Sequence, residues 1–184
     1  MTNFANRGKL FEKHIESLFY GCAKLGKPMM LIRTPPEMRI IRSIGKGQFM
    51  CTFSGKGPPD YVVNIGGKAY IADAKETKDT KLPYQNIKEH QATAFEEWDS
   101  VCGEPRSFLF VRFKSPFMDY MIPWASIREG YWAWRTNYAK GIKAKRGEGS
   151  FPQSKASSCG IPLTMGGIAN RIGQSNIFID SAET

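Results

Sequence analysis

The stretch PPDYVVNIGGKAYIADAKETK, from Pro58 to Lys78, decides the fold that we expect for this chain. Two runs rich in β-branched and aromatic residues, 61–65 and 68–76, are typical of β-strands. Between them lies Gly66-Gly67, a pair that favours a tight hairpin turn because both glycines reach positive φ at little cost. The stretch therefore predicts two antiparallel strands joined by a short turn.

Three charged side chains of this hairpin form a candidate catalytic group. Asp60 begins the first strand and Asp73 lies in its partner, so local pairing brings the two carboxylates together, while Lys75 shares a face with Asp73. Two close carboxylates repel each other, and a hard divalent cation relieves that repulsion. A metal beside an ammonium group is suited to phosphodiester hydrolysis. The alternative is a solvated hairpin whose charges simply face water.

The rest of the sequence predicts further helices and strands in mixed order. The expected helices cover 6–24, 85–98 and 125–135, and the expected further strands cover 29–33, 107–113 and 118–124. This order favours an α/β chain of the α+β kind, a mixed sheet flanked by helices. We expect a single domain over residues 1–184, in which the range 136–160, rich in Gly, Ser and Lys, forms a flexible basic loop.

A second hairpin is predicted from Met38 to Phe53, around a turn at 45–47. Proline pairs at 35–36 and 58–59 bracket it, which favours an arm over 33–57 that projects from the body. The basic residues of this arm are Arg33, Arg39, Arg42, Lys46 and Lys56. Charge on an edge hairpin often only prevents aggregation. Beside a site suited to phosphodiester hydrolysis, contact with nucleic-acid phosphates is the favoured role.

Charge and composition limit the function classes. The 184 residues carry 26 Lys+Arg against 17 Asp+Glu, a net charge of +9 that suits a polyanionic partner. A chain that is 41% hydrophobic and 12% aromatic is neither disordered nor fibrous. We expect no membrane span, because no apolar run approaches the roughly 18 residues that one needs. A charged N-terminus and four scattered cysteines indicate a cytoplasmic protein with reduced thiols.

Four segments together resemble a known family. Pro59-Asp60, twelve further residues and then Asp73-Ala74-Lys75 resemble the PD-(D/E)xK nuclease core. The segments NRGKLFE (6–12), ADAKETK (72–78) and LPYQNIKEHQ (82–91) resemble the RecU family of Holliday-junction resolvases. The resemblance extends from Asn6 to about Arg171.

This resemblance implies a restriction-endonuclease-like fold and a specific activity. Members of the family are homodimers that bind a four-way DNA junction and resolve it by paired, Mg²⁺-dependent nicks, with Mn²⁺ expected to substitute. By position, Asp60, Asp73 and Gln91 would be metal ligands. Lys75 would stabilise the transition state, and Glu12 would complete the acidic cluster. The host would be a bacterial cell or a phage-infected one.

The resemblance also gives the basic residues a role. The 33–57 hairpin would be the stalk that enters the central opening of the junction. Arg7, near the start of the first helix, would contact phosphate or have a structural role at the helix N-terminus. The chain departs from the family pattern at two positions: Asp73 stands where Glu is usual, and Pro58 stands where a Thr adds a ligand. A restriction-type duplex nuclease and a non-catalytic protein that binds branched DNA are the alternative functions.

Overall fold

The computed structural model describes residues 7–35, 38–53, 57–145 and 147–171. In chain order the elements are α1 (Arg7–Lys24), β1 (Met29–Arg33), β2 (Met38–Gly45), β3 (Gln48–Phe53), β4 (Tyr61–Ile65), β5 (Lys68–Thr77), β6 (Lys81–Pro83), α2 (Glu89–Cys102), β7 (Ser107–Lys114), β8 (Phe117–Pro123), α3 (Arg128–Ala139), β9 (Ser150–Pro152), α4 (Gln153–Cys159), β10 (Ile161–Pro162) and α5 (Met165–Arg171). The fold is the mixed α/β architecture that the sequence predicts.

The described part folds around a six-stranded sheet in the order β1-β4-β5-β7-β8-β10. β5 and β7 run parallel, whereas the other neighbouring pairs of this sheet are antiparallel. A parallel pair needs a crossover, and α2 supplies it between β5 and β7. The strands on which the candidate residues lie are therefore at the centre of the sheet.

Helices cover both faces of the sheet and enclose two hydrophobic cores. On one face, Phe11, Ile15 and Phe19 of α1 are buried against the sheet at helical spacing. There Phe110 of β7 meets Phe19 and Tyr61 edge to face, with ring centroids 5.8 and 5.7 Å apart. On the other face, residues of α2, α3 and α4 pack over the same strands. The sheet thus separates the α1 face from the α2 face.

The helix predicted over 85–98 begins later and ends later than expected. A short 3-10 turn, Tyr84–Asn86, comes first, and Lys88 is then extended at the N-cap of α2. The helix runs on to Cys102 because Gly103, at φ 69°, supplies the left-handed C-cap. The delayed start decides which side chains of the first turn of α2 reach the sheet.

The range predicted as a basic loop, 136–160, contains regular structure at both ends. α3 continues to Ala139, and β9 and α4 occupy 150–159. β9 pairs with β6, which explains the order of this segment. Among the described residues, the irregular connection is reduced to 140–149.

The second hairpin forms over the strands that the sequence predicts. β2 and β3 pair antiparallel, and Gly45, Lys46 and Gly47 turn the chain at φ values of 92°, 51° and 73°. Within the described residues these two strands form a sheet of their own, apart from the six-stranded one. That the hairpin is a projecting stalk stays a prediction.

None of the helices in the described ranges combines the length and the apolar character that a bilayer crossing requires.

We predict that Phe110→Ala lowers the free energy of unfolding by about 3–5 kcal/mol, because it removes a fully buried ring and leaves a cavity between three aromatic neighbours. Urea denaturation followed by circular dichroism measures this. Val101→Ala is the control, since Val101 is 88% exposed and should change stability by less than about 0.5 kcal/mol. Equal midpoints for the two variants would contradict the assignment of this core.

Candidate active site

The β4-β5 hairpin brings Asp60 to Asp73. Tyr61 pairs with Ala72 across the two strands, so the residues just outside that pair face each other. The carboxylate of Asp60 accepts a hydrogen bond from the backbone N–H of Ala74, at 2.9 Å from Oδ2. The proximity that the sequence predicts for the two acids is therefore observed.

Asp73 and Lys75 lie on the α2 face of β5, where Asp73 is fully buried. The ammonium of Lys75 forms an ion pair with Asp73 Oδ2, and the Lys75 side chain is itself 13% exposed. From α2, Gln91 Nε2 donates to Asp73 Oδ1 at 2.8 Å. A buried carboxylate is tolerated when it is paired and hydrogen-bonded. Here Gln91 supplies the hydrogen bond to Oδ1, whereas Oδ2 has the Lys75 ion pair but no hydrogen-bond partner among the described residues.

Gln91 connects the two charged residues through its amide. Its Oε1 accepts from Lys75 Nζ at 3.0 Å and from the backbone N–H of Lys88 at 3.0 Å. The amide orientation is thereby fixed, with nitrogen toward the acid and oxygen toward the amine. The sequence predicts Gln91 as a metal ligand, and that role stays a prediction. In this arrangement the amide holds Asp73 and Lys75 in place.

Burial has the largest effect on the pKa of the Asp73 carboxyl group. It raises the pKa of Asp73 above its ordinary value, Lys75 opposes this, and the nearby carboxylate of Asp60 adds to it. An ionised Asp73 beside a second carboxylate therefore requires positive charge close by.

This donor set fits Mg²⁺. Asp60 and Asp73 offer hard carboxylate oxygens, and a divalent cation would relieve the cost of ionising a buried acid next to another acid. The described residues contain no group of three or more His, Cys, Asp or Glu side chains placed to hold a metal ion. Mg²⁺ is commonly bound by one or two carboxylates together with water and substrate phosphate, so two acids are sufficient.

Glu12 lies on α1, across the sheet from Gln91. Arg33 binds it, with Nη2 at 2.5 Å from Glu12 Oε2, and the same guanidinium lies 3.7 Å from Glu16 Oε1. Burial raises the pKa of Tyr61 above its ordinary value, and the negative charges of Glu12, Glu16 and Asp60 raise it further. The structure thus brings together Asp60, Asp73, Lys75 and Gln91. It pairs Glu12 with Arg33, and the completion of the acidic cluster by Glu12 stays a prediction.

The predicted DNA-binding residues fall into three groups. Arg42 and Lys46 are exposed on the β2-β3 hairpin. Arg33, whose side chain is 57% exposed, is engaged by two acids. The side chains of Arg7, at the start of α1, and Arg39, in β2, lie outside the described residues, as does all of Lys56.

Thr34 is a residue of the site that sequence reasoning missed. Its backbone N–H donates to the carbonyl of Asp60 at 2.9 Å, and its hydroxyl donates to the carbonyl of Pro59. These bonds extend the β1-β4 pairing by one residue beyond Arg33 and Tyr61 and fix the backbone that carries Asp60. Sequence reasoning could find Thr34 only by pairing the strands predicted at 29–33 and 61–65. The pattern within a single strand does not show which residues of two strands face each other.

A comparison with protein-family models matches residues 6–159 to RecU, described as Recombination protein U. The matched range contains both hairpins, α2 and every residue of the candidate group. A search of the curated proteins finds no match to the chain.

We predict that Asp73→Asn stabilises the metal-free protein, and increasingly so from pH 5 to pH 8. Because the pKa of Asp73 is raised in the folded protein, the folded state keeps the carboxyl proton at pH values where the unfolded chain has lost it. The free energy of unfolding of the wild type therefore falls as the pH rises. The neutral amide escapes that cost. A gain of about 1 kcal/mol raises Tm by about 2–4 °C in a chain of this size.

Thermal melts in EDTA at pH 5, 6, 7 and 8 measure the difference in Tm between the two proteins. Asp79→Asn at matched pH is a control for loss of one acidic charge, since Asp79 is exposed. A Tm difference that stays constant across the series would show that the burial of Asp73 is not coupled to its ionisation.

Proposed function

We propose that this chain, which belongs to the RecU family of recombination proteins, is a structure-selective endodeoxyribonuclease. Its substrate would be a four-way DNA junction, which it would resolve. The observation that carries the proposal is the group formed by Asp60, Asp73 and Lys75, which Gln91 locks in place. Membership of the family supports a role in DNA recombination, and the charged group supports phosphodiester hydrolysis.

In this proposal, Asp60 and Asp73 hold Mg²⁺. When bound, Mg²⁺ polarises a phosphoryl oxygen and lowers the pKa of a coordinated water. The Lys75 ammonium, which is paired with Asp73, stabilises negative charge that develops on the phosphate under attack. Gln91 keeps that ammonium in position through its Oε1, at a distance of 3.0 Å. Little rearrangement of charge is then needed during the reaction, which is the source of catalytic power in such sites.

The proposed substrate is branched DNA, and the support is the basic β2-β3 hairpin. Arg42 and Lys46 are exposed on a pair of strands that hydrogen-bond with each other and, in the described residues, with no other strand. A hairpin of this kind can enter the opening of a four-way junction and contact phosphates from more than one arm. Resolution into two duplexes needs two symmetric cuts, so we propose that the active form is a homodimer.

We predict that wild type cleaves a four-way junction in Mg²⁺ much faster than a linear duplex of the same sequence. Lys75→Met should lower the cleavage rate by about 10²–10³-fold, because it removes one charge-stabilising group from the site. Asp73→Asn should abolish cleavage but keep junction binding. Single-turnover cleavage of labelled DNA, with binding measured separately in EDTA, gives these values.

Lys68→Met is the matched control, since Lys68 lies on the same strand but pairs with Glu104, away from the site. It should cleave at the wild-type rate. Comparable rates on linear duplex would favour a restriction-type nuclease, and junction binding without any cleavage would favour a non-catalytic binding protein. Either result would overturn the resolvase proposal.

We further predict that the double substitution Arg42→Gln and Lys46→Gln weakens junction binding and flattens its salt dependence. Each lost phosphate contact should reduce the slope of log K against log salt by about 0.9. A titration of junction affinity from low to moderate salt measures this slope. Lys24→Gln with Lys27→Gln, which removes equal charge near the end of α1, should leave the slope unchanged. Equal slopes for the two double variants would exclude the hairpin as a DNA contact.

A further inference from the structure

A cleft of about 330 Å³ opens beside the candidate active site, between the first turn of α2 and helix α3. Gln85, Lys88, His90, Trp134, Arg135 and Tyr138 are among the residues that line it. We infer that this cleft binds an unpaired stretch of the DNA strand that passes the active site, with one base stacked on Tyr138. The inference rests on the proposed function for the identity of the strand.

The aromatic side chains of α3 form a platform. Trp134 and Tyr138 are stacked, with ring centroids 5.5 Å apart and planes 29° apart. Trp134 is held from behind by Tyr84 and Tyr131, at centroid distances of 6.0 and 5.8 Å. Tyr138, by contrast, is 62% exposed. A base that lies on Tyr138 would extend a stack that already exists, which is how single-stranded nucleic acid is commonly bound.

The charge around the cleft suits an anionic strand. The acid that lines it, Glu89, is paired with Arg135 at 2.7 Å, and the same guanidinium lies 5.9 Å from the Tyr138 ring centroid. Lys88 stands exposed at the start of α2. Lys140, Lys143 and Lys145 follow directly after α3 and are exposed as well. Aromatic faces flanked by lysines and arginine are the usual composition of a groove for single strands.

The cleft and the catalytic group share one turn of helix. Lys88 lines the cleft, and its backbone N–H donates to Gln91 Oε1 at 3.0 Å. Gln91 in turn donates to Asp73 Oδ1 at 2.8 Å. The first turn of α2 therefore connects the wall of the cleft to the residues around Asp73. This continuity favours DNA over a second copy of the chain as the occupant.

The test is the affinity of a ten-nucleotide oligo(dT), measured by fluorescence anisotropy in EDTA. Tyr138→Ala and Tyr138→Leu should each weaken binding by about tenfold, because neither residue has a face on which a base can stack. Tyr138→Phe should bind like wild type. Tyr20→Ala is the matched control, since Tyr20 is 63% exposed and carries a Lys24 ammonium 4.6 Å from its ring centroid, yet lies on α1 outside the cleft.

Several outcomes would overturn the inference. They are unchanged affinity in Tyr138→Leu, an equal loss in Tyr20→Ala, and a loss in Tyr138→Phe as large as in Tyr138→Leu. A change of oligomeric state in Tyr138→Leu, seen by sedimentation with oligo(dT) affinity intact, would assign the platform to a second copy instead. Because the assay needs neither Mg²⁺ nor cleavage, its result is independent of the nuclease assay. A selective loss in Tyr138→Leu would support the cleft even if no DNA were cut.

Discussion

The carboxylate of Asp73, fully buried in the middle of the sheet, is the constraint to which the surrounding structure conforms. An ionised acid cannot remain there alone, because desolvation of an unpaired charge costs several kcal/mol. Its partners come from two separate elements, Lys75 on the same strand and Gln91 on α2. The position of α2 over the sheet is therefore tied to the site, and packing around Phe95 and Ala92 secures the helix there.

The β4-β5 hairpin could be predicted because its signals are local. Strand alternation and Gly66-Gly67 specify which residues pair, and pairing alone brings Asp60 to Asp73. The strands of the β2-β3 hairpin are predicted from the same two signals, residue composition and a glycine-containing turn. Membership of the RecU family agrees with the motifs in the sequence.

What escaped sequence reasoning depends on contacts between elements. The sequence pattern predicts too early a start for α2, because the composition of 85–88 does not reveal the 3-10 turn or the extended Lys88. The bridging amide of Gln91 and the bonds from Thr34 join segments far apart in the chain. The pairing of Glu12 with Arg33 likewise depends on where α1 meets the end of β1. No periodicity carries that information.

The parallel pairing of β5 with β7 has a consequence for how the protein is made. β5 carries Asp73 and Lys75, and α2, the crossover between β5 and β7, packs on both strands, so its full packing surface exists only once β7 lies beside β5. A growing chain that has formed only its first two hairpins thus has the acids without the amide that orients them. The candidate group is completed by a contact between residues 18 positions apart, so a chain synthesised only as far as β5 would have the acids and the lysine but not the Gln91 amide.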